Sequence, residues 1–408
     1  MHILVVASTL PAHAADAVPR FVLDQALALA EADPTVTVTL LAPHTPASRA
    51  LPWPRAESAD GRVQQDRFGY APRRWETLTA RGIMPAISER KAMAGVVPLL
   101  VAGERRALKR AVRATGADVI YAHWFTPQAI VAAGVARRLR VPFGFTTHAS
   151  DVAVLRRLGP LGASTVRSVT QRAAFMTAVS PQTAQKLLAF FDGDARDGVG
   201  AALDIEPMGV RLPAVTPVPG DPHTVAVIAR LVEKKGLHVL LEAWPLVRDV
   251  VSDARLIIGG DGPQRARLES LAAGLDGVEL RGYVTGDAKA ALESEAGIVA
   301  APSIVAPDGD ADGLPVAALE ALARGALVVA SDASGAQDLL ADVVTIVPAG
   351  NAKALAAAIV AEMTREPAER DVRATAARER ASALTWERLA PEMLARMREA
   401  SQRHGVEG

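Results

Sequence analysis

Cysteine is absent from the 408 residues. The chain therefore carries no disulfide framework and no thiolate nucleophile, and a reducing compartment such as the cytoplasm suits it. No apolar run reaches the roughly 18 residues of a membrane span. The first seven residues are too few for the core of a secretion signal and read as a strand. A soluble or peripheral protein is expected. No set of His, Asp or Glu has the spacing of a metal site, so metal is discounted. Net charge is also lacking, with 45 Lys and Arg against 45 Asp and Glu. The halves do not cancel separately. Residues 1–212 hold 25 basic and 17 acidic side chains, net +8, and the remainder holds 20 and 28, net −8. Such a field bears on partners more than on fold.

What is present suits two or more domains with sizeable cores, since half of the residues are hydrophobic. Residues 2–7 form a nearly continuous apolar run, as in a strand buried on both faces. Helical spacing follows over 20–31, and a second strand over 35–42. A strand, a helix and a strand begin a doubly wound α/β domain, whose ligands meet the carboxyl ends of strands. The loop 8–19 lies at such an end. It has no glycine, so it offers no phosphate cradle, and His13 and Asp16 are its candidates to meet an acceptor. Residues 44–95 show no clean period and read as an irregular insertion with a basic-aromatic cluster, Arg67, Phe68, Tyr70, Arg73, Arg74 and Trp75.

Helix returns over 96–115, with Arg105, Arg106, Lys109, Arg110 and Arg113 crowding one side. No nucleic-acid recognition fold accompanies them. They are a solvated face, or a contact for anionic lipid headgroups. Strands over 118–123 and 141–148 bring His123 and His148 to one rim, with Asp151 just beyond. Strands are also expected over 174–180 and 205–210. Pro213, Pro217, Pro219 and Pro222 exclude helix and inner strand. The first domain therefore covers 1–212 and a linker 213–223.

The second domain, 224–380, opens on a strand over 224–229. Arg230 and Lys235 follow on a loop where an anion would sit; a fixed guanidinium and a mobile ammonium both suit a diphosphate. A Gly-Gly-Asp-Gly-Pro turn stands at 259–263, where Gly260 lets backbone approach a ligand. Tyr283 and Val284 follow a strand over 278–282. Pro245 is expected to kink or shorten the helix after Gly236. Asp312 and Glu320 have seven residues between them, with Gly313, Leu314 and Pro315 in the interval. Pro315 suits the first helical position and Gly325 the residue past the end. The helix start, with its free N–H groups, makes a phosphate site. Asp312 lies on the loop before it, and Glu320 about one and a half turns inside it. A nucleotide sugar has the matching layout of sugar, diphosphate and ribose. Residues 381–408 form a last helix.

The run 312–320 resembles the signature of the retaining glycosyltransferases of family 4, E-G-L-P-x-x-x-x-E. The two family glutamates fall on Asp312, one methylene shorter, and on Glu320. Residues 229–236 are similar to the family's G-R-L-x-x-x-K-G, with Ala229 in place of glycine, and 259–263 to its G-G-D-G-P. Residues 118–151 resemble D-V-I-H-A-H-W and T-x-H-G-S-D, from which Tyr121 and Ala149 depart. Met208 stands where the family usually has asparagine, and 333–338 conforms poorly to G-G-x-P-E. The likeness spans nearly the whole chain and is weakest over 44–95.

It implies the GT-B fold, two doubly wound Rossmann-like domains facing across a cleft, with the last helix crossing back to the first domain. It also implies sugar transfer, with retention, from a UDP- or GDP-linked donor to a carbohydrate or lipid-linked acceptor hydroxyl. Bacterial-type glycolipid or polysaccharide synthesis is the expected setting, at an anionic membrane surface. No nucleic acid, metal or other cofactor takes part. Arg230, Lys235 and the helix start at Gly313, Leu314 and Pro315 would neutralise the diphosphate, and Glu320 would accept ribose hydroxyls. Asp312 and His148 would hold the sugar, and Tyr283 and Val284 would meet the base through main-chain groups. His123, Asp151 and His13 would stand on the acceptor side. Two rivals remain, a catalytically silent nucleotide-sugar-binding subunit and an epimerase or phosphorylase on the same fold.

Overall fold

Ile3, Leu4, Val5 and Val6 are almost wholly buried. A strand apolar on both faces belongs inside a parallel sheet covered by helices on each side. The computed structural model describes residues 1–406 apart from 14, 15, 17, 81, 149, 150, 214–216, 219, 308 and 310. Ala149 and Pro219, named above, lie outside the described residues, as do Asp308 and Asp310 near the signature.

The first sheet comprises β1 (His2–Val6), β2 (Thr37–Pro43), β3 (Arg55–Ala56), β4 (Val63–Phe68), β5 (Val119–His123), β6 (Phe143–Thr147), β7 (Phe175–Ala178) and β8 (Leu203–Ile205). Their order is β3-β4-β2-β1-β5-β6-β7-β8. Every pairing is parallel except β3 with β4. β1 pairs on both sides, Ile3 opposite Val38 and opposite Val119. The second sheet comprises β9 (Asp221–Ile228), β10 (Arg255–Gly259), β11 (Val278–Gly282), β12 (Ala296–Ala301), β13 (Leu327–Ser331) and β14 (Thr345–Val347), in the order β11-β10-β9-β12-β13-β14. It is wholly parallel. Each sheet reverses direction beside its first long strand, at β1/β5 and at β9/β12, which is the doubly wound pattern.

One compact unit holds Met1–Val179, Thr183–Glu206 and Trp386–Gly408, and the other holds Ser180–Gln182 and Pro207–Thr385. The division thus falls at Glu206 rather than at 212, because Val210 N donates to Leu384 O at 2.9 Å and bridges Thr385. The return to the first unit starts at Trp386 rather than 381, because the helix Pro367–Ala383 lies on the helix Val316–Arg324 of the second unit. The helix Trp386–Val406 packs on the helix Phe21–Ala32, and Arg396 pairs with Asp204 at 2.9 Å and with Glu206. Glu206 is raised to about 7 by burial, against the pull of Arg396.

Several local expectations are corrected. The stretch 44–95 contains β4, which alternation hides because Gln65 and Arg67 point inward and are buried. Arg67 donates there from its two terminal nitrogens to the carbonyls of Pro43, Leu10 and Pro11 at 2.7–3.1 Å. Its cluster mates separate: Phe68 and Tyr70 are core, whereas Trp75 is 42% exposed. The strand expected over 205–210 ends at Ile205, and the helix Gly193–Ala202 precedes it without a sequence signal. Its three glycines weaken any helical pattern. Pro245 lies inside the helix Leu237–Arg248 without ending it.

Candidate active site

β9 and β12 lie side by side where the strand order reverses, and in doubly wound sheets ligands meet the carboxyl ends of strands at such a reversal. The loop after β9 carries Arg230, Lys234 and Lys235; the loop after β12 carries Ser303 and Asp312. The two loops are tied together. Ile304 N donates to Lys234 O at 2.8 Å. Gly236 has φ +63°, and a Cβ there would strike the Pro302 carbonyl. Only glycine allows both that backbone and that approach.

Asp312 is 7% exposed. Lys235 Nζ donates to its Oδ2 at 2.7 Å, Ser303 Oγ donates to the same oxygen at 2.8 Å, and Lys234 Nζ lies 3.9 Å from Oδ1. Burial by itself would raise this carboxyl. The attraction of Lys235 and Lys234, with the two hydrogen bonds, outweighs it and leaves the group below the usual aspartate range. The site thus holds one anion between two cations.

Beyond Asp312, Gly313 O accepts from Gly335 N, which pins the loop. The helix runs Val316–Arg324 with Pro315 as its extended N-cap, not its first helical residue. A ψ of 109° at Pro315 explains the shift, since it lies outside the helical region. The first N–H groups of this helix have no partner within it. Glu320 stands one turn in. Lys289 Nζ, from the helix Gly286–Glu295, donates to its Oε1 at 2.6 Å. Burial raises Glu320, and Lys289 pulls it back only partly. Gly260 lies at the end of β10, where a Cβ would meet the Ala229 carbonyl. Tyr283 and Val284 follow edge strand β11, two strands from β9, about 10 Å at the usual spacing. Tyr283 is 46% exposed and Val284 is packed against the core.

In the first unit, the equivalent reversal lies between β1 and β5. His123 ends β5 and His148 follows β6, and the structure joins them: His123 Nδ1 is 3.1 Å from His148 Nε2. His123 is fully buried, and its other nitrogen lies 2.6 Å from Gln25 Oε1. Burial carries His123 well below the usual histidine range and His148 to about 4, although Asp151 acts in the opposite sense on His148. Both rings are neutral near pH 7. Phe21 and Trp124 flank His148, with centroids at 5.4 and 4.9 Å. Asp151 accepts from Phe125 N at 2.6 Å, Thr147 Oγ1 at 2.8 Å and His148 N at 3.2 Å. It organises the loop after β6. His13 is exposed on the loop after β1.

The residues that sequence reasoning misses are Ser303, Lys289 and Gln25. Gln25 has a signal, a polar side chain among the apolar positions of its helix; Lys289 meets Glu320 only through the fold. Among the described residues, no group of three or more His, Asp or Glu could hold a metal ion, and no helix is long and apolar enough to cross a membrane.

Two family models match, one described as Glycosyltransferase Family 4 over residues 18–196 and one as Glycosyl transferases group 1 over 222–364. The chain belongs to glycosyltransferase family 4. This family 4 chain is 31% identical over 195 residues to the GDP-mannose-dependent alpha-(1-6)-phosphatidylinositol monomannoside mannosyltransferase of Mycobacterium tuberculosis. That match covers 44% of this chain and 49% of the relative. The chain spans less than half the length of the curated relatives it matches. Among solved structures, it is similar to a sucrose-phosphate synthase from Thermosynechococcus elongatus. The TM-score is 0.73 at 21% identity, over 98% of this chain and 99% of that one. It is also similar to Anabaena HepE, solved in complex with UDP, at TM-score 0.66 and 17% identity over 98% and 100%. At such identities the likeness shows the fold, and that fold is GT-B.

Proposed function

We propose that this family 4 protein transfers a sugar from a UDP- or GDP-linked donor to an acceptor hydroxyl, with retention at the anomeric carbon and without a metal. The observation that carries the reading is the contact of Lys235 and Lys234 with Asp312, just before the Val316–Arg324 helix, at the strand reversal whose loop also carries Arg230. The bond from the anomeric carbon to the diphosphate breaks, and a bond to the acceptor oxygen forms. Nucleoside diphosphate and a proton leave. Fixed cations and helix N–H groups stabilise the charge that develops on the leaving oxygen, and in many enzymes such stabilisation lowers the barrier more than any other effect. Glu320 takes ribose hydroxyls beside Lys289, which donates to its Oε1; the carboxylate keeps further acceptor sites for them. Asp312 and His148 take sugar hydroxyls. A GDP-mannose-dependent relative and a UDP-bound neighbour support both nucleotides as candidates.

A thermal-shift panel of nucleotide sugars selects the donor, because a ligand that binds the folded state raises its apparent stability. Free nucleotide released only when an acceptor is added supports transfer. Release that requires inorganic phosphate indicates a phosphorylase, and donor binding without turnover across an acceptor panel indicates a silent subunit.

The acceptor is proposed to lie at an anionic membrane. On the helix Val97–Thr115, Leu100, Ala107, Leu108 and Val112 face the core. Outside it lies a shallow groove of about 600 Å³ with an apolar floor at Val97, Pro98 and Val101 and cations at Arg105, Arg106 and Lys109. An apolar face edged by cations suits the headgroup boundary. Sedimentation with anionic vesicles at low salt tests this; equal binding to neutral vesicles, or none, rejects it.

A further inference from the structure

A chain of three side chains in the first unit ends on His148. Gln25 Nε2 donates to Met393 Sδ at 3.6 Å, on the helix that returns from the far end of the chain. Gln25 Oε1 lies 2.6 Å from His123 Nε2. His123 Nδ1 lies 3.1 Å from His148 Nε2. Gln25 and His123 are 1% and 0% exposed, so no water substitutes for these partners.

The protons follow from donor and acceptor chemistry. A carbonyl oxygen only accepts, so His123 Nε2 carries the hydrogen. A neutral imidazole has one N–H, which leaves His123 Nδ1 as an acceptor. His148 Nε2 must then donate to it. His148 is neutral too, and its Nδ1 is left with a lone pair. The reverse arrangement would turn the Gln25 carbonyl toward the thioether sulfur, which has no proton to give, and would bury that oxygen unpaired. The rings cannot readily turn over to escape this. Tyr121 stacks edge-on to His123 at 4.8 Å, and Phe21 and Trp124 flank His148. Among the described residues, the charged group that acts on the pair is Asp151, which accepts from His148 N at 3.2 Å and leaves the ring nitrogens to this chain.

We infer that Gln25 and His123 are positioning residues that lock His148 as its Nε2–H tautomer, so that Nδ1 accepts a hydrogen bond from a donor-sugar hydroxyl. The hydroxyl part rests on the proposed function; the tautomer does not. The consequence is a polarity in donor selection. A sugar with a hydroxyl at that position can donate to Nδ1. A carboxylate there presents only acceptors and meets a lone pair, and a deoxy sugar leaves the nitrogen unpaired.

Two measurements separate the parts. Long-range nitrogen–proton correlation on protein labelled with ¹⁵N-histidine, without ligand at pH 7, reads the tautomer directly. A protonated Nε2 and bare Nδ1 on His148 are expected; a protonated Nδ1, or averaging between the two forms, overturns the lock. Gln25→Met keeps the volume and removes the acceptor. Its unfolding temperature should fall modestly, because the buried His123 Nε2 loses its partner, while the fold is kept and the His148 nitrogens average. Donor KM should rise about three- to tenfold, the range of a neutral hydrogen bond, with a smaller change in kcat. Unchanged donor KM with averaged nitrogens overturns the hydroxyl assignment alone. If Gln25→Met does not fold, His123→Asn carries the same readouts, and the parent spectrum still decides the tautomer.

Discussion

Glu104 and Asp312 are both buried carboxyl groups, one in each unit, and they behave in opposite ways. Glu104 is fully buried on the helix Val97–Thr115 and accepts one bond, from Gln128 Nε2 at 3.1 Å. With no cation paired to it among the described residues, burial pushes it up to about 8. Asp312 has two lysines and a serine around it and stays below the usual range. The same pattern extends around each. His123 and Glu104, both buried, and the half-buried His148 are polar groups of the first unit made neutral by desolvation. Asp312 with Lys235, and Glu320 with Lys289, keep the second unit's groups paired as ions. A neutral rim suits the reading of hydroxyls, and a paired ionic loop suits a partner that arrives carrying charge. Under the proposed function, an incoming diphosphate would take over Lys235 from Asp312.

The largest way to sharpen that contrast is to remove the neutral acid. The sign is set by the two states. The folded value of Glu104 is about 8 against an ordinary 4.5. Below the ordinary value both states hold the proton, and the parent has its full stability. Between these values the unfolded chain releases the proton and the folded one does not, so stability falls as pH rises and levels off above about 8. Glu104→Gln keeps the shape and the Gln128 bond but does not titrate. Its unfolding temperature should match the parent's near pH 4.5 and exceed it at pH 8, with a gap on the order of a few kcal/mol. A gap of equal size at both ends would show that Glu104 is not the titrating group.

Next in size is the ionic side. Lys235→Ala leaves Asp312 with Ser303 and the more distant Lys234, 3.9 Å away, and removes a cation from the proposed diphosphate site. Arg230→Ala removes another. Each should lower kcat/KM roughly ten- to hundredfold, in line with charged hydrogen bonds worth about 1.5–3 kcal/mol. Steady-state kinetics with the selected donor is the measurement. Parent kinetics in both variants would take the diphosphate away from this loop.

These two regions also differ in how far the sequence reveals them. Each half of the ionic loop is legible because its residues are local, whereas the pairing of Lys235 with Asp312 across the two halves is not. Arg230 and Lys235 lie within six residues, and Gly313 and Pro315 announce the helix beside Asp312. The doubly wound sheets are legible from apolar runs such as the one at β1. What is hidden depends on contacts between distant segments. Lys289 reaches Glu320 across two helices, and Gln25 is fixed by Met393, 368 positions away. β4 is hidden because Gln65 and Arg67 occupy core-facing positions, where they donate to carbonyls at the end of β2 and in the loop after β1. Glu104 lies between: with Leu100 and Leu108 at four-residue intervals it marks a carboxyl on an apolar face, a signal that the crowd of cations on the same helix obscures.

The smallest and most discriminating change is within Asp312 itself. The family signature has glutamate there, and this chain is one methylene short. The structure compensates from the other side, since Lys235 and Ser303 both reach Oδ2 at 2.7 and 2.8 Å. The shorter acid is therefore held firmly rather than left loose. Asp312→Asn keeps one acceptor oxygen but removes the charge that balances Lys235 and Lys234. If Asp312 holds a sugar hydroxyl, that binding energy is also expressed in the transition state, and turnover falls together with affinity. A loss of about tenfold or more in kcat/KM is expected, the lower end of a charged hydrogen bond. Asp312→Glu should keep activity near or above the parent's, because the extra methylene restores the family's reach while the charge stays. Parent activity in Asp312→Asn would make Asp312 only a counter-ion for the lysines. Loss in both variants would instead mean that the loop is built around the shorter side chain, with Ser303 in the place the longer acid would need.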